Sequence, residues 1–257
     1  MNKTKLYSGL GLALLIVVVS VSAGLIMGDT TRLVDYTKEL KVESADISDY
    51  ITEDESPELA AFYKADMSAY YDGDNTGSMY YIFDTDNSTF TMVYGCEEVG
   101  DGTYTMEGNE VILLFDGASE ENATRYLLDN NILMAETNIC SGEIPATDTF
   151  DITCYQRSSS TSVYYYEFKE DGSYTLKNYV KTDDDKDDKM YSGEGTYTRD
   201  GDYITTTISD TVTPPYLIYK NHLVTSYFEE ITAEQYRDEY ADNYAIAQSA
   251  NDTSDTE

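Results

Sequence analysis

Residues 80–92 read Tyr80-Tyr81-Ile82-Phe83-Asp84-Thr85-Asp86-Asn87-Ser88-Thr89-Phe90-Thr91-Met92, and residues 165–176 read Tyr165-Tyr166-Glu167-Phe168-Lys169-Glu170-Asp171-Gly172-Ser173-Tyr174-Thr175-Leu176. With one residue inserted in the first copy the two stretches align, and each is a hairpin: aromatic and β-branched runs flank Asp86-Asn87 in one and Asp171-Gly172 in the other. Two further blocks repeat in the same order. Gly102-Thr103-Tyr104-Thr105-Met106-Glu107-Gly108 returns as Gly195-Thr196-Tyr197-Thr198-Arg199-Asp200-Gly201. Tyr126-Leu127-Leu128-Asp129-Asn130-Asn131-Ile132-Leu133-Met134 returns as Tyr216-Leu217-Ile218-Tyr219-Lys220-Asn221-His222-Leu223-Val224. Three ordered blocks at offsets of 85, 93 and 90 residues set an internal repeat.

Alternation decides strand over helix. From Tyr164 to Phe168 and from Tyr203 to Ser209, Tyr, Thr and Ile recur at period two, giving one apolar and one hydroxyl-bearing face. Each copy then holds about six strands, and Thr149 to Arg157 (Phe150, Ile152, Cys154) adds one after the first copy. The expected fold class is all-β: two tandem antiparallel meander units, with an N-terminal transmembrane helix and a C-terminal helix. The expected organisation is 1–28 anchor or signal, 29–60 stalk or lead-in, 61–157 first unit, 158–229 second unit and 230–257 helix and acidic tail. Periodicity alone leaves one wide barrel or two small ones open; a pair of half-barrels is the preferred form.

The N-terminus explains where these units work. After Lys3 and Lys5 the chain is uncharged from Leu6 to Gly28, a span of about 34 Å as a helix against a ~30 Å hydrocarbon core. Lysines before it and acidic residues after it place the bulk of the chain outside. Val21-Ser22-Ala23 also fits a signal-peptidase site, so the segment is read as a retained single-pass anchor or a cleaved signal, and either one exports the protein. A formal charge of −33 repels phosphate backbones, which excludes nucleic acid as a partner.

The flanks read as helices. Ser56-Pro57-Glu58 looks like a helix start running through about Lys64. Thr232-Ala233-Glu234-Gln235 is a capping box, followed by Tyr236, Tyr240 and Tyr244 on one face, with a frayed tail from about Ser249.

Chemistry-bearing residues are sparse. Cys96, Cys140 and Cys154 lack metal-site spacing; Cys140 and Cys154 flank Pro145 and form the expected disulfide, the alternative being three buried thiols. Asn87, Asn122 and Asn251 head glycosylation sequons. Asp183 to Lys189 and Asp72 to Gly77 are acidic loops without the ligand order of a calcium site, read as solvated turns. His222, the single histidine, stands where the first copy has Ile132, a strand position rather than a base. No catalytic, cofactor or metal residue is assigned.

The aromatic-x-Phe-x-x-Asp-Gly-x-Tyr hairpin (Tyr166 to Tyr174), Gly-x-Tyr-x-x-x-Gly (Gly195 to Gly201) and the Tyr-Leu-Ile hairpin (Tyr216 to Val224) resemble the lipocalin-like, calycin-type β-meander domains of exported prokaryotic proteins, over residues 78–228. The resemblance implies an up-and-down barrel or half-barrel with a helix against it, in some members around an apolar cavity. The chain has no Trp and so departs from the Gly-x-Trp start of lipocalins. The expected function is a non-catalytic, membrane-tethered module binding a small apolar ligand or an envelope component; the alternative is a structural or adhesive acidic surface protein without a pocket.

Overall fold

The computed structural model describes residues 57–65, 78–159, 161–181, 189–208 and 211–254. The expected N-terminal helix, the stalk as far as residue 56 and both acidic loops lie outside them, apart from Lys189. Among the described residues no helix is long and apolar enough to cross a membrane.

Strands β1 (Phe62–Ala65), β2 (Met79–Asp84), β3 (Thr89–Tyr94), β4 (Glu97–Glu107), β5 (Glu110–Phe115), β6 (Thr124–Asp129) and β7 (Ile132–Ala135) come first. Then follow β8 (Ile139–Glu143), β9 (Ile152–Ser159), β10 (Ser162–Phe168), β11 (Ser173–Val180), β12 (Lys189–Asp200), β13 (Tyr203–Ile208), β14 (Thr211–Val212), β15 (Tyr216–Tyr219) and β16 (His222–Val224). The chain ends with β17 (Tyr227–Glu230) and the helix α1 (Ala233–Ser254).

These strands form two closed antiparallel barrels of eight. The first runs β1-β17-β7-β6-β5-β4-β3-β2, and β1 bonds to β2 to complete it. The second runs β12-β11-β10-β9-β8-β16-β15-β13, closed by the β12–β13 pairing, with β14 appended to β13. Closure removes the edge strands that an open half-barrel would present. The chain divides accordingly: one unit holds the described residues up to Leu133 and from Phe228 onward, the other Met134–Tyr227.

Three expectations change. The repeat blocks supply six strands per copy, but each barrel has eight, and the two additional strands come from segments outside the blocks. The strand expected near Thr149 to Arg157 is β9, and it pairs with β10 in the second barrel rather than trailing the first. The dividing points therefore fall at 133/134 and 227/228 instead of 157/158 and 229/230. Lastly, Phe62 to Lys64 are strand, not helix: Tyr63 and Ala65 face inward and Phe62 and Lys64 outward, and pairing with β2 and β17 outweighs the local helix-start signal.

Turn chemistry is as read in the last hairpin of each copy, whereas in the β2–β3 turn the left-handed residue is Ser88 (φ 54°) rather than Asp86 or Asn87. Asn130 and Asn131 have φ of 47° and 64°, and Lys220 and Asn221 46° and 69°, the paired left-handed residues of a tight two-residue hairpin. Gly102 and Gly195 are glycines for a different reason. A Cβ there would stand 2.1 Å from the Leu114 carbonyl oxygen and 1.7 Å from that of Thr207, so both let β4–β5 and β12–β13 approach closely.

The capping box forms as written: the Thr232 N–H donates to Gln235 Oε1 at 2.8 Å, and the Gln235 N–H to Thr232 Oγ1 at 3.2 Å. Tyr236 stacks on Phe62 and meets Tyr80 edge-on, both with centroids 5.2 Å apart. Glu239 accepts hydrogen bonds from Lys64 Nζ at 3.0 Å and the Tyr80 hydroxyl at 2.6 Å. Tyr244 is 52% exposed, so the stripe docks only over its first turns, and the helix continues past Ser249 to Ser254.

Candidate functional site

In each barrel the lumen is the space that the strands enclose, so its lining decides what that space can hold. Inward positions alternate along strands such as β5, β11 and β13. In the first barrel Tyr81 on β2 faces Tyr126 on β6, the strand diametrically opposite; the rings meet edge-on at 5.7 Å and the hydroxyls share a 3.1 Å hydrogen bond. Tyr81 also touches Phe90 at 5.9 Å and Phe228 of β17 at 4.7 Å. Aromatic rings thus span the lumen from wall to wall.

The repeat reproduces this lining. Tyr166 on β10 and Tyr216 on β15, also opposite strands, meet edge-on at 5.6 Å, matching Tyr81 and Tyr126. Phe168 and Tyr197 cross at 5.0 Å and 81°, against 5.2 Å and 82° for Phe83 and Tyr104. All of these rings are buried, the least covered being Tyr104 at 8%.

The differences lie in polarity. Strand pairing places Cys154 opposite Tyr166 where Tyr63 stands opposite Tyr81, and Thr206 takes the place of Leu113. The second lumen contains two hydroxyl networks. Tyr174 and Tyr216 share a 3.3 Å hydrogen bond, beside the Thr206–Thr213 pair at 2.7 Å. Tyr166 donates to Gln156 Oε1, Thr225 Oγ1 donates to the same oxygen at 3.3 Å, and Gln156 Nε2 donates to the Thr137 carbonyl at 2.6 Å. Satisfied polar groups of this kind can remain buried without large cost. Sequence reasoning passed over Gln156, although its place in the inward phase of Ile152, Cys154 and Gln156 was the signal.

One end of the second lumen is covered by the β8–β9 connection. Arg199 Nη1 donates to the carbonyls of Pro145 and Thr147 at 2.6 and 2.8 Å, and the Phe150 N–H donates to the Tyr197 hydroxyl at 2.9 Å. This holds Ile144 and Phe150 in the core, with the Phe150 ring 5.4 Å from Phe168.

Burial sets the titration of the lumen. Removal from water pushes Tyr126 up to about 12, and raises Tyr81 and Tyr174 well above the ordinary phenol value. Cys154 is pushed up to about 12 by burial, and Cys140 well up by burial and by its neighbour Cys154. All three cysteines are free thiols in the structure; Cys140 and Cys154 lie on adjacent strands one residue either side of the Ser141–Tyr155 pair, facing the same core. Protonated, buried thiols are poor nucleophiles.

The remaining assigned positions are scattered. Asn87 is exposed in the β2–β3 turn, its side-chain amide donating to Asp84 Oδ2 at 2.7 Å. Asn122 is half-buried in the β5–β6 connection and donates to Ser119 Oγ at 2.9 Å, while Asn251 lies in α1. His222 is buried in β16, opposite Tyr219 and Glu143. Among the described residues no group of three or more His, Cys, Asp or Glu is arranged to hold a metal. No family model, no curated protein and no solved structure matches the chain.

Proposed function

We propose that this chain is a non-catalytic, exported module, tethered by its N-terminal segment, whose two barrels are filled scaffolds that present an acidic outer surface to a cationic envelope component. The observation that carries the reading is the matched pair of tyrosine contacts, Tyr81 with Tyr126 and Tyr166 with Tyr216, each reaching across its barrel between opposite strands. Rings in contact at mid-lumen leave the outside as the recognition surface, and a charge of −33 selects cationic over anionic partners.

A second reading, a small apolar ligand, is favoured by one observation: Cys154 and Thr206 are smaller than the Tyr63 and Leu113 they replace, which concentrates any ligand space in the second barrel. Two measurements test the pair. The exported part should be retained on isolated cell envelopes at low salt and released as salt screens the attraction. Salt-insensitive retention, or saturable stoichiometric binding of N-phenylnaphthylamine to the folded protein, would overturn the surface reading and favour the cavity.

A further inference from the structure

One mouth of the second barrel is built unlike its counterpart in the first. Residues 144–151 join β8 to β9 there, whereas the corresponding strands of the first barrel, β17 and β1, come from opposite ends of the chain and are not joined. The connection belongs to no strand. Pro145 to Thr149 are exposed, while Ile144 and Phe150, near its two ends, are buried in the core.

Side-chain chemistry ties it down. Arg199 Nη1 donates to the carbonyls of Pro145 and Thr147, and Arg199 Nε to the Gly201 carbonyl at 2.8 Å. The Tyr197 hydroxyl accepts the Phe150 N–H and donates to the Lys169 carbonyl at 3.0 Å. In the repeat Arg199 stands where the first copy has Met106, which has no N–H to give, so the guanidinium accompanies the connection and is missing where the connection is missing. A segment held by a few side-chain bonds, its own residues turned to water, opens at lower free energy than a paired strand.

Cys154 lies just below it. The thiol is inward on β9, two residues past Ile152 and so about 7 Å farther along the strand. Ile152 pairs with Phe168, the ring that Phe150 covers, and Cys154 pairs with Tyr166. A Cβ on Gly142, two residues before Ile144, would stand 3.3 Å from the Cys154 sulfur, so the thiol lies where the two ends of the connection enter the barrel.

We propose that residues 144–151 are a lid on the second barrel, latched by Arg199 and Tyr197, and that lifting it admits small uncharged molecules to the lumen as far as Cys154. Lifting withdraws Phe150 from beside Phe168 and Tyr197 and leaves the strand pairing of the ring intact. The lid gives the small-ligand reading an entrance, but it does not rest on that reading.

The test uses the full chain in detergent micelles, with peptide mapping by mass to tell which cysteine is modified. In the natural sequence N-ethylmaleimide should label Cys154 while the amides of Tyr166 and Leu176 stay protected from hydrogen exchange. A polyethylene-glycol maleimide, too bulky to pass the lifted lid, should leave Cys154 unlabelled. Arg199→Gln should speed both the labelling of Cys154 and the exchange of the Phe150 amide by roughly tenfold or more, with the Tyr166 and Leu176 amides unchanged. Arg125→Gln, which removes an ion pair to Glu110 in the first barrel, should alter none of these rates. Labelling by both maleimides at one rate, or in step with exchange at Tyr166 and Leu176, would mean that the whole barrel unfolds and overturns the lid. No labelling of Cys154, or a rate that Arg199→Gln leaves unaltered, overturns it as well.

Discussion

The two barrels share a lining and differ in how they close. Met134–Tyr227 builds the second barrel from one unbroken stretch, with β8 entering first and pairing with both β9 and β16. The strand in the corresponding ring position of the first barrel is β17, which arrives only after the entire second barrel has been traversed. Relative to the second, the first barrel is circularly permuted. Ring closure therefore requires a strand in a certain place and accepts it from either end of the sequence.

Removing everything after Tyr227 is the severest way to break this comparison. The first barrel loses β17 and α1 and is expected to open, with its amides losing hydrogen-exchange protection. The second keeps all eight ring strands, so protection should persist across 139–224; equal loss in both would mean the barrels do not close independently.

Point changes refine it. Phe228→Ala removes the ring that β17 inserts beneath Tyr81 and should cost about 3–5 kcal/mol by denaturant unfolding. Cys140→Ala, on the equivalent strand β8, should cost only about 1 kcal/mol. Gly102→Ala and Gly195→Ala test where the barrels are alike: a Cβ forced into the neighbouring strand's carbonyl should cost roughly 3 kcal/mol in each, and a large disparity would show that the glycines do different jobs.

Alkaline titration probes the lumens. Tyr126 is raised from an unfolded value near 10 to about 12 in the fold. Its contribution is fully present below pH 10 and lost as pH rises toward 12, a drop of roughly 2–3 kcal/mol. The tyrosinate absorbance contributed by the buried lumen tyrosines should therefore rise together with unfolding rather than before it. Tyr81→Phe leaves the buried Tyr126 hydroxyl without its 3.1 Å partner and should cost about 1–2 kcal/mol.

Much of the architecture was legible because the repeat blocks carry their own turn chemistry. Asn130-Asn131 and Lys220-Asn221 announce hairpins by local conformation alone, and the inward tyrosines follow from period two. β1, β8 and β17 were not legible in the same way. They are short and lie outside the repeat blocks, and their pairing is set by the opening left in a ring, a tertiary demand with no local signature; β1 even carries the proline and acid of a helix start just upstream. In the lumen, the alternation from Tyr164 to Phe168 put Tyr166 on one face with Tyr164 and Phe168, but contact between opposite strands depends on barrel diameter, which eight strands fix and six would not. Gln156 was passed over because a single polar residue in an apolar phase reads as noise until its three partners are in place.

The late arrival of β17 also imposes an order of assembly. As the chain emerges from its N-terminus, the first seven strands of the leading barrel must wait with two raw edges, while a complete second barrel folds behind them. Only a chain that has emerged as far as β17 can seal the first. The permutation thus acts as a check on completeness: an unfinished polypeptide carries exposed strand edges that proteases and chaperones can recognise, and a finished one does not.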